Sequence, residues 1–440
     1  MDLLLLAIAL FYIITNRKTE WVLTIMLALG TNLFQAWKFF ADAMLIPNMY
    51  DGALIILLAL LIKYWNKKPV LPAKYRSLTK YITFFSCYIV LLIFLDIILN
   101  NISIISVIKT SRHWLFLLAI FVIPKIPVIT LKKTLYIVMN ITLVISAIIA
   151  FEFFTGNYYF TEIHYEGGVA RGALPSTFAL FYTMVLACNY YNKMNKARRY
   201  TYLAILILSL LASSTRSIAL AIVFGFMICI YFCSRNKANS FGKMFLFIFL
   251  ACAVAMFTPG LKERFSQLGT ELSASRTSND VKGNTTFRLM HFAERFEYLQ
   301  ERPMQLMFGV GNVIEKDFPD IFYLGLYNES EQRITQLDTG DITWSPVLMR
   351  LGVIGIFLFV TLALKAIKCA ARHIPDKLAV ATTAYLAITF IILSFAGTQC
   401  YRATFWIMPA ISLCVIGKDL LVTNKPFDKY GQDNYCNSNF

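Results

Sequence analysis

Residues 134–153 read TLYIVMNITLVISAIIAFEF. Glu152, next to the end of this stretch, is its only charged residue. Runs of about 17–25 apolar residues have the length of helices that cross a lipid bilayer. The stretch therefore predicts a transmembrane helix.

Similar apolar runs recur along the whole chain, which has 440 residues, is 58% hydrophobic and 15% charged, and has a mean hydropathy of +0.62. A soluble domain cannot bury that much apolar surface. We therefore predict an all-α, polytopic integral membrane protein with about 12–13 transmembrane helices. The predicted helices are 3–15, 21–37, 50–64, 81–98, 113–124, 134–153, 175–191, 201–213, 217–234, 244–258, 343–364, 379–395 and 403–417.

The net charge of +16 is unevenly distributed. When loops are assigned to alternate sides of the membrane, one set holds 25 Lys and Arg with five acidic residues. The rest of the chain holds 16 Lys and Arg with 20 acidic residues. This is the positive-inside pattern, and it predicts an outward N-terminus and a cytoplasmic C-terminus. It also indicates that the basic loops set the topology and do not bind nucleic acid or phosphate.

The predicted organisation has four parts. Residues 1–258 form transmembrane helices 1–10 with a smaller outer loop at 154–174, and 259–342 form a large outer loop. Residues 343–417 form helices 11–13, and 418–440 form a polar cytoplasmic tail. The N-terminus lacks a basic n-region and a small-residue cleavage site, so we expect an uncleaved helix. Three alternatives remain for 101–114: an outer loop, an interfacial helix, or part of a longer helix that buries Lys109.

The large loop contains TFRLMHFAERFEYLQERP (286–303), whose apolar residues recur at helical spacing. We predict an amphipathic helix that rests on the bundle through Leu289, Phe292, Phe296 and Leu299. Arg288, His291, Arg295 and Tyr298 share the adjoining stripe. Phosphate or lipid contact is one interpretation of this stripe, and a solvated face is the other.

Ionisable residues at the edges of membrane helices are functional candidates, because they cost free energy unless they are paired or hydrated. Arg216 stands in a hairpin of about three residues between two apolar helices. Its planar donor fork suits a phosphate, although it could also reach ordinary lipid headgroups. Arg171, between glycines in the smaller loop, and Arg402, on the last short outer loop, are further candidates. Arg350, which a straight helix would place about 10 Å deep, is either functional or half of an internal ion pair.

Two carboxylates, Asp338 and Asp341, stand in QLDTGDITW (336–344) at the start of a predicted membrane helix. An aspartate that faces a low dielectric has a raised pKa and is a better base. Asp341 is therefore the candidate general base, and Asp338 would orient the acceptor or the base. The alternative is that Asp341 caps the helix, a common structural role for Asp at this position. Nothing here requires a metal, although the pair could hold a divalent cation.

Arginines and carboxylates at one outer edge fit one chemistry well, the attack of a hydroxyl on a carbon that bears a diphosphate leaving group. The arginines would neutralise the departing diphosphate, and a carboxylate would accept the proton of the hydroxyl.

The order of the motifs STRSIAL (214–220), TTFRLMHFAERFEYL (285–299), MFGVGN (307–312), QLDTGDITWSPVLMRLGVIG (336–355) and YRATFW (401–406) resembles the superfamily of O-antigen ligases and O-antigen polymerases. The resemblance covers roughly residues 165–410. It implies a glycosyltransferase that uses an undecaprenyl-diphosphate-linked donor, inverts the anomeric carbon and needs no metal or other cofactor.

The resemblance also implies roles for individual residues. Two arginines would bind the lipid diphosphate, and by motif these are Arg216 and Arg288, with Arg171 and Arg402 in support. The ligases place an essential histidine near the end of the large loop. This sequence has Asp341 at that place, as polymerases commonly have an acidic residue there, and so resembles the polymerase branch.

We therefore expect an O-antigen or capsular repeat-unit polymerase of a Gram-negative inner membrane, with an outward face that is periplasmic. The implied partners are undecaprenyl-diphosphate-linked oligosaccharides, the lipid bilayer and a chain-length regulator, without nucleic acid. One alternative is a ligase that transfers polysaccharide to lipid A-core. The other is a flippase or transporter, although the chain lacks the internal repeat typical of that class.

Overall fold

A computed structural model describes residues 2–31, 33, 49–69, 75–161, 163–166, 169–172, 176–213, 215–234, 239–246, 248, 285–328, 333–337, 342–397 and 403–423. Most of these residues are helical, which confirms the all-α class. The helices are α1 Asp2–Ile14, α2 Thr19–Gly30, α3 Met49–Lys63, α4 Arg76–Ile98, α5 Ile104–Leu115, α6 Ala119–Val122, α7 Val128–Thr155, α8 Thr177–Ala187, α9 Lys196–Ala212, α10 Arg216–Cys233, α11 Thr285–Gln300, α12 Pro303–Phe308, α13 Trp344–Ala371, α14 Lys377–Ile391 and α15 Ile407–Thr423. Short 3₁₀ helices are Phe116–Leu118, Ile123–Lys125, Glu315–Asp317, Leu393–Phe395 and Ala403–Trp406.

Within the described residues, six helical segments are long and apolar enough to cross a membrane. They are Tyr75–Ile98, Ile104–Lys125, Val128–Thr155, Arg216–Cys233, Trp344–Ala371 and Lys377–Phe395. Shorter apolar helices are Asp2–Ile14, Thr19–Gly30 and Thr177–Ala187. The polytopic membrane class predicted from the sequence is thus confirmed. The predicted helix at 244–258 falls mostly outside the described residues, so the count of 12–13 stays a prediction.

From Ile104 onward the segment 101–114 is part of a longer helix, as the third alternative expected, but it does not bury Lys109 as that alternative required. Ser103 caps α5, because its side chain accepts a hydrogen bond from the backbone N–H of Ser106 at 3.2 Å. The helical path then continues to Lys125. Lys109 lies exposed on this helix and is not buried.

Helices α4 and α13 pack antiparallel through two matched hydrogen bonds. The hydroxyl of Tyr88 donates to the carbonyl oxygen of Leu351 at 2.6 Å, and that of Tyr81 donates to Leu358 at 3.1 Å. Tyr81 and Tyr88 are two turns apart on one face of α4, and their partners Leu358 and Leu351 follow in the opposite order along α13. The start of α4 therefore lies beside the end of α13.

Helix α13 bends sharply at Gly352, whose φ of 66° and ψ of −172° are not helical. In a straight helix, Trp344 and Phe359 would be about 22 Å apart along the axis. Their ring centroids are only 6.3 Å apart. The turn 344–351 therefore folds back against the longer part of the helix, 353–371.

Two antiparallel hairpins occur between helices of the chain. The first pairs β1 Ile163–Glu166 with β2 Val169–Gly172, inside the predicted smaller loop. The second pairs β3 Leu326–Asn328 with β4 Arg333–Thr335, inside the predicted large loop. Both are short local additions to an all-α protein.

Candidate functional site

The N-terminus of α13 is a meeting point for segments that carry candidate residues. The backbone N–H of Thr343 donates to the carbonyl oxygen of Ser394 at 2.9 Å. Its hydroxyl donates to the carbonyl oxygen of Gly397 at 2.6 Å. Thr343 follows Asp341 closely in sequence, and Gly397 precedes Arg402 by five residues. The chain next to Asp341 and the chain leading to Arg402 are thus joined here.

Arg216 is the first residue of α10 and lies at the same end of the bundle. Cys188 interacts with the last residue of α10 and with Lys377, near the start of α14, so α10 and α14 run antiparallel. The 3₁₀ helix Leu393–Phe395, which follows α14, contacts α10 and therefore does so at its N-terminus. We call the end of the bundle that carries Arg216, Thr343 and residues 393–397 the Arg216 end.

Helix α11 docks on the first turn of α13 through His291. The Nδ1 atom of His291 lies 2.9 Å from the hydroxyl oxygen of Ser345, and both side chains are fully buried. Arg288 lies one turn earlier on α11 and is half-buried. Its Nε atom has no hydrogen-bond partner among the described residues. The predicted diphosphate ligand Arg288 is thus held beside the segment that follows Asp341.

The environment of His291 keeps its ring neutral. Burial, with the nearby charge of Arg295 as a smaller cause, lowers the pKa of His291 from 6.5 to about 3. Its Nε2 atom is buried and has no hydrogen-bond partner among the described residues. At neutral pH this histidine can therefore orient neighbouring groups as a polar side chain, but it adds no positive charge.

The predicted amphipathic helix exists as α11, but its buried stripe differs from the expected one. Phe287, His291, Arg295 and Leu299 form the fully buried row, and Leu289 is 61% exposed. Phe292 and Phe296 pack against a small apolar cluster as predicted. Of the polar stripe, His291 and Arg295 are buried, because His291 finds a partner on α13 and Arg295 finds partners in the loop that follows α11.

Arg295 occupies a structural position rather than a free face of the helix. One guanidinium nitrogen donates to Glu294 at 2.6 Å, and the other donates to the carbonyl oxygens of Leu324 and, at 3.1 Å, Gln336. The ring of Phe322 lies 4.3 Å below the guanidinium. Burial, partly offset by nearby carboxylates, lowers the pKa of Arg295 to about 10, so it remains charged. Arg295 is committed to the protein and fastens the loop to α11.

A polar network holds the chain that leads to Asp338. The Glu315 carboxylate accepts the backbone N–H groups of Gln336 and Leu337, the latter at 2.9 Å. The side-chain oxygen of Gln336 accepts the N–H group of Phe322 at 3.1 Å. Because Gln336 and Leu337 immediately precede Asp338, this network fixes one side of the aspartate-bearing segment, and Thr343 fixes the other.

Arg350 is buried and interacts with groups inside the protein. It is 1% exposed, donates to the carbonyl oxygen of Val313 at 3.1 Å, and interacts electrostatically with the buried carboxylate of Asp96 on α4. Asp96 also accepts two hydrogen bonds from Asn312, at 2.8 Å from its backbone and 2.7 Å from its side chain. This supports the ion-pair alternative for Arg350. The bend at Gly352 follows Arg350, so the 344–351 turn that carries Arg350 is not collinear with the rest of α13.

Two of the motifs found in the sequence pack directly on one another at this bend. Gly309 and Gly352 both have positive φ, 87° and 66°. A Cβ atom on Gly309 would lie 2.5 Å from the carbonyl carbon of Arg350, and one on Gly352 would lie 2.6 Å from the nitrogen of Phe308. The N–H of Val310 donates to the Met349 carbonyl at 2.7 Å, replacing a helical bond lost at the bend. MFGVGN and RLGVIG thus form one backbone-to-backbone contact.

Several predicted residues lie outside these contacts. Asp338, Asp341 and Arg402 are outside the described residues. For Arg171 the backbone alone is described, on β2, where it pairs with His164. Within the described ranges, no group of three or more His, Cys, Asp or Glu residues is placed to hold a metal ion.

Asp96 and Ser345 take part in these contacts but were not among the candidates predicted from the sequence. An acidic residue inside the apolar run 81–98 was a signal for Asp96, because a carboxylate in such a run needs a partner. Ser345 carried no such signal, since a serine in the first turn of a helix is common. Its relation to His291 depends on the tertiary fold.

Comparison with known proteins supports the interpretation of the motifs. Residues 201–360 match the family model described as O-antigen ligase. No curated protein matches the chain. The matched segment contains Arg216, Arg288, His291 and the bend at Gly352, and it supports O-antigen polymerase or ligase activity in general. The resemblance of this chain to the superfamily of O-antigen ligases and polymerases is therefore confirmed over residues 201–360.

Proposed function

We propose that this protein is a membrane glycosyltransferase that polymerises undecaprenyl-diphosphate-linked oligosaccharide repeat units into O-antigen or capsular polysaccharide. The observation that carries the proposal is the convergence at the Arg216 end. Arg216, the α11 helix with Arg288, and the segments beside Asp341 and Arg402 come from distant parts of the sequence. They meet around the first turn of α13.

The arginines would bind the diphosphate of the donor. Guanidinium groups pair with phosphate oxygens through two parallel hydrogen bonds. Arg216 and Arg288 would provide the main contacts, with Arg171 and Arg402 in support. Since Arg295 and Arg350 are committed to internal contacts, we no longer propose them as ligands. Arg216 and Arg288 would supply positive charge where a metal would otherwise be needed. We propose that no cofactor takes part.

The reaction would be one displacement at the anomeric carbon. The terminal sugar hydroxyl of a new lipid-linked repeat unit attacks the anomeric carbon of the growing chain, and a glycosidic C–O bond forms. The C–O bond to the diphosphate breaks, and undecaprenyl diphosphate leaves with the electron pair. Asp341 accepts the hydroxyl proton, and Asp338 orients the acceptor or the base. Arg216 and Arg288 stabilise the charge that develops on the leaving group.

The acidic side chain of Asp341 favours a polymerase over a ligase. The ligase alternative receives support from the family description over residues 201–360. Both enzymes would bind the same donor diphosphate, but they differ in the acceptor, a repeat unit or lipid A-core. The acidic residue in place of the histidine expected of a ligase is the feature that separates them here.

We place the Arg216 end at the periplasmic face of the bacterial inner membrane. The charge distribution supports this orientation, because the loops at the opposite end carry the excess of Lys and Arg. The lipid diphosphate would then lie at the headgroup level, beside the N-terminus of α13. A chain-length regulator is a further partner that we propose from the family resemblance.

Deletion of the gene, followed by analysis of the lipopolysaccharide and capsule ladders, tests the proposal. A single repeat unit on the core without a ladder is the result expected of a lost polymerase. A bare core with polymer accumulated on the lipid carrier would instead establish a ligase. A bare core with repeat units trapped on the cytoplasmic side would establish a flippase and overturn the catalytic assignment.

A further inference from the structure

A basic pocket lies at the opposite end of the bundle from Arg216. It has a volume of about 460 Å³ and is lined by Arg76, Ser77, Lys80, Tyr81, Phe84 and Lys365. The first five residues belong to the start of α4, and Lys365 belongs to the last two turns of α13. The antiparallel packing of these helices brings the three cations together. The sequence alone indicated a purely topological role for such residues.

The charges in this pocket are uncompensated within the described residues. No salt bridge joins Arg76, Lys80 or Lys365 to a carboxylate there, and the pocket lining contains no acidic residue. Lys365 is half-buried, with its ammonium group 5.0 Å from the centre of the Tyr81 ring. The pocket is therefore an open site with three positive charges and two hydroxyl groups, of which that of Tyr81 already donates to the Leu358 carbonyl oxygen.

The position of Arg76 on its helix strengthens the case for an anionic ligand. It lies in the first turn of α4, which has no acidic residue and no side-chain cap. The N-terminus of a helix carries a partial positive charge and unpaired N–H groups, so cations there are unfavourable and anions are stabilised. A phosphate would satisfy the N–H groups and neutralise the cations together.

We propose that this pocket binds the phosphate headgroup of an anionic phospholipid. Tyr81 and Phe84 provide the apolar side of the pocket, and the side chain of Phe84 is 57% exposed. Aromatic residues are common at membrane interfaces, and basic pockets between transmembrane helices on the cytoplasmic side bind anionic headgroups. In the proposed orientation this pocket faces the cytoplasmic leaflet. The site is separate from the proposed catalytic site.

Lipid retention by the purified full-length protein tests this proposal. Phosphatidylglycerol is titrated into detergent-solubilised protein, and bound lipid is counted by native mass spectrometry, with phosphatidylcholine as the neutral comparison. The test variant is R76Q/K80Q/K365Q. The matched control is K196Q/R198Q/R199Q, which removes three cations from the first turn of α9 at the same end of the bundle. That helix is already capped by Asn195.

We expect one saturable phosphatidylglycerol site in the wild type. It should weaken at least about tenfold in the test variant and less than about twofold in the control, because only the pocket gathers cations from two helices beside an uncapped helix N-terminus. The single variant K365Q, which leaves α4 unchanged, should weaken binding in the same direction. Equal losses in the test and control variants would overturn the proposal in favour of general charge attraction. Equal retention of phosphatidylcholine, or full displacement by millimolar inorganic phosphate, would also overturn it.

Discussion

The Nδ1 atom of His291 lies 2.9 Å from the hydroxyl oxygen of Ser345, and this contact joins the large loop to the first turn of α13. Both side chains are buried, and the histidine is neutral at physiological pH. Position 345 follows Asp341 by four residues in sequence, and the contact fixes the orientation of α11 relative to the first turn of α13. His291 is thus placed to position Arg288 rather than to bind the diphosphate itself.

The first prediction concerns the dependence of stability on pH. The folded-state pKa of His291 is about 3 and the ordinary value is 6.5, so the unfolded chain binds the proton more readily. The stabilising contribution of neutral His291 is therefore complete above pH 6.5 and is lost as the pH falls from 6.5 towards 3. The loss approaches about 1.4 kcal/mol per pH unit. H291N, which keeps a polar atom near Ser345, should flatten the decline of the melting temperature between pH 7.5 and 5.

Ser345→Ala provides the control for this prediction. It removes the hydrogen bond but leaves the titrating ring in place, so its melting temperature should decline with pH as steeply as that of the wild type. Parallel curves for the wild type and H291N would show that other groups cause the acid sensitivity.

The second prediction concerns the arginines of the proposed diphosphate site. Arg216→Ala or Arg288→Ala should reduce polymer formation by at least about 100-fold at normal protein level, as expected when one charge-stabilising donor is lost. Lysine at either position should restore part of the activity, because it keeps the charge but lacks the planar fork. The measurement is the product ladder formed from lipid-linked repeat units by the purified protein.

Arg302→Ala is the matched control, since Arg302 is an exposed arginine that follows α11. Its side chain is 42% exposed and lies 3.7 Å from Glu301. Substitution there should leave the ladder unchanged. Long chains at the wild-type rate from Arg216→Ala protein would refute the diphosphate assignment.

The third prediction separates the two roles considered for Asp341. Asn and Ser cap helices about as well as Asp, but neither accepts a proton at neutral pH. D341N and D341S should therefore retain donor binding and protein level while turnover is lost. Activity preserved in both variants, together with instability of D341A, would show that the residue acts as a cap.

The fourth prediction is that Arg295 affects folding rather than turnover. Truncation to Ala would remove the ion pair with the part-exposed Glu294 and leave the carbonyl groups of Leu324 and Gln336 without this donor, at a cost of about 1–3 kcal/mol. R295A should therefore lower the melting temperature and expose the 315–337 segment to protease. R288A, on the same helix, should change neither property. A stable but inactive R295A protein would return Arg295 to the ligand-binding set.

The sequence predicted the helical membrane class well because long apolar runs carry that information locally. The Arg216 hairpin was predicted for the same reason, with α9 ending at Ala212 and α10 beginning at Arg216. The buried stripe of α11 was wrong at Leu289 because apolar spacing does not reveal partners for polar side chains. Arg295 is buried by contacts with residues about 30 to 40 positions away in sequence. Such contacts leave no local pattern.

The bend in α13 also escaped the sequence, although its glycine lies in a motif that was noticed. Gly352 interrupts an apolar run that reads as one continuous helix, and a glycine within a helical pattern is usually tolerated. What makes it a bend is the MFGVGN segment, which occupies the space that a straight helix would need. Two separately recognised motifs were therefore parts of one structural unit.

The last prediction concerns this contact. The backbone of Gly352, at φ 66° and ψ −172°, lies in a region that is essentially restricted to glycine, where strain in other residues is about 1–3 kcal/mol. A methyl group there would also collide with the main chain at Met307 and Phe308. G352A should therefore lower the melting temperature and displace the 344–351 turn, which carries Ser345. Polymer formation should fall with it.

The control for this prediction is G242A, because a Cβ atom at Gly242 meets no atom within 4 Å. It should leave stability and activity unchanged. A cysteine pair that reports the separation of the 344–351 turn from α11 distinguishes local displacement from general unfolding. If G352A retained both the wild-type melting temperature and the wild-type cross-linking, the bend would not be needed to hold the first turn of α13. The arrangement of the Arg216 end would then have to rest on the contacts of Thr343 and His291 alone.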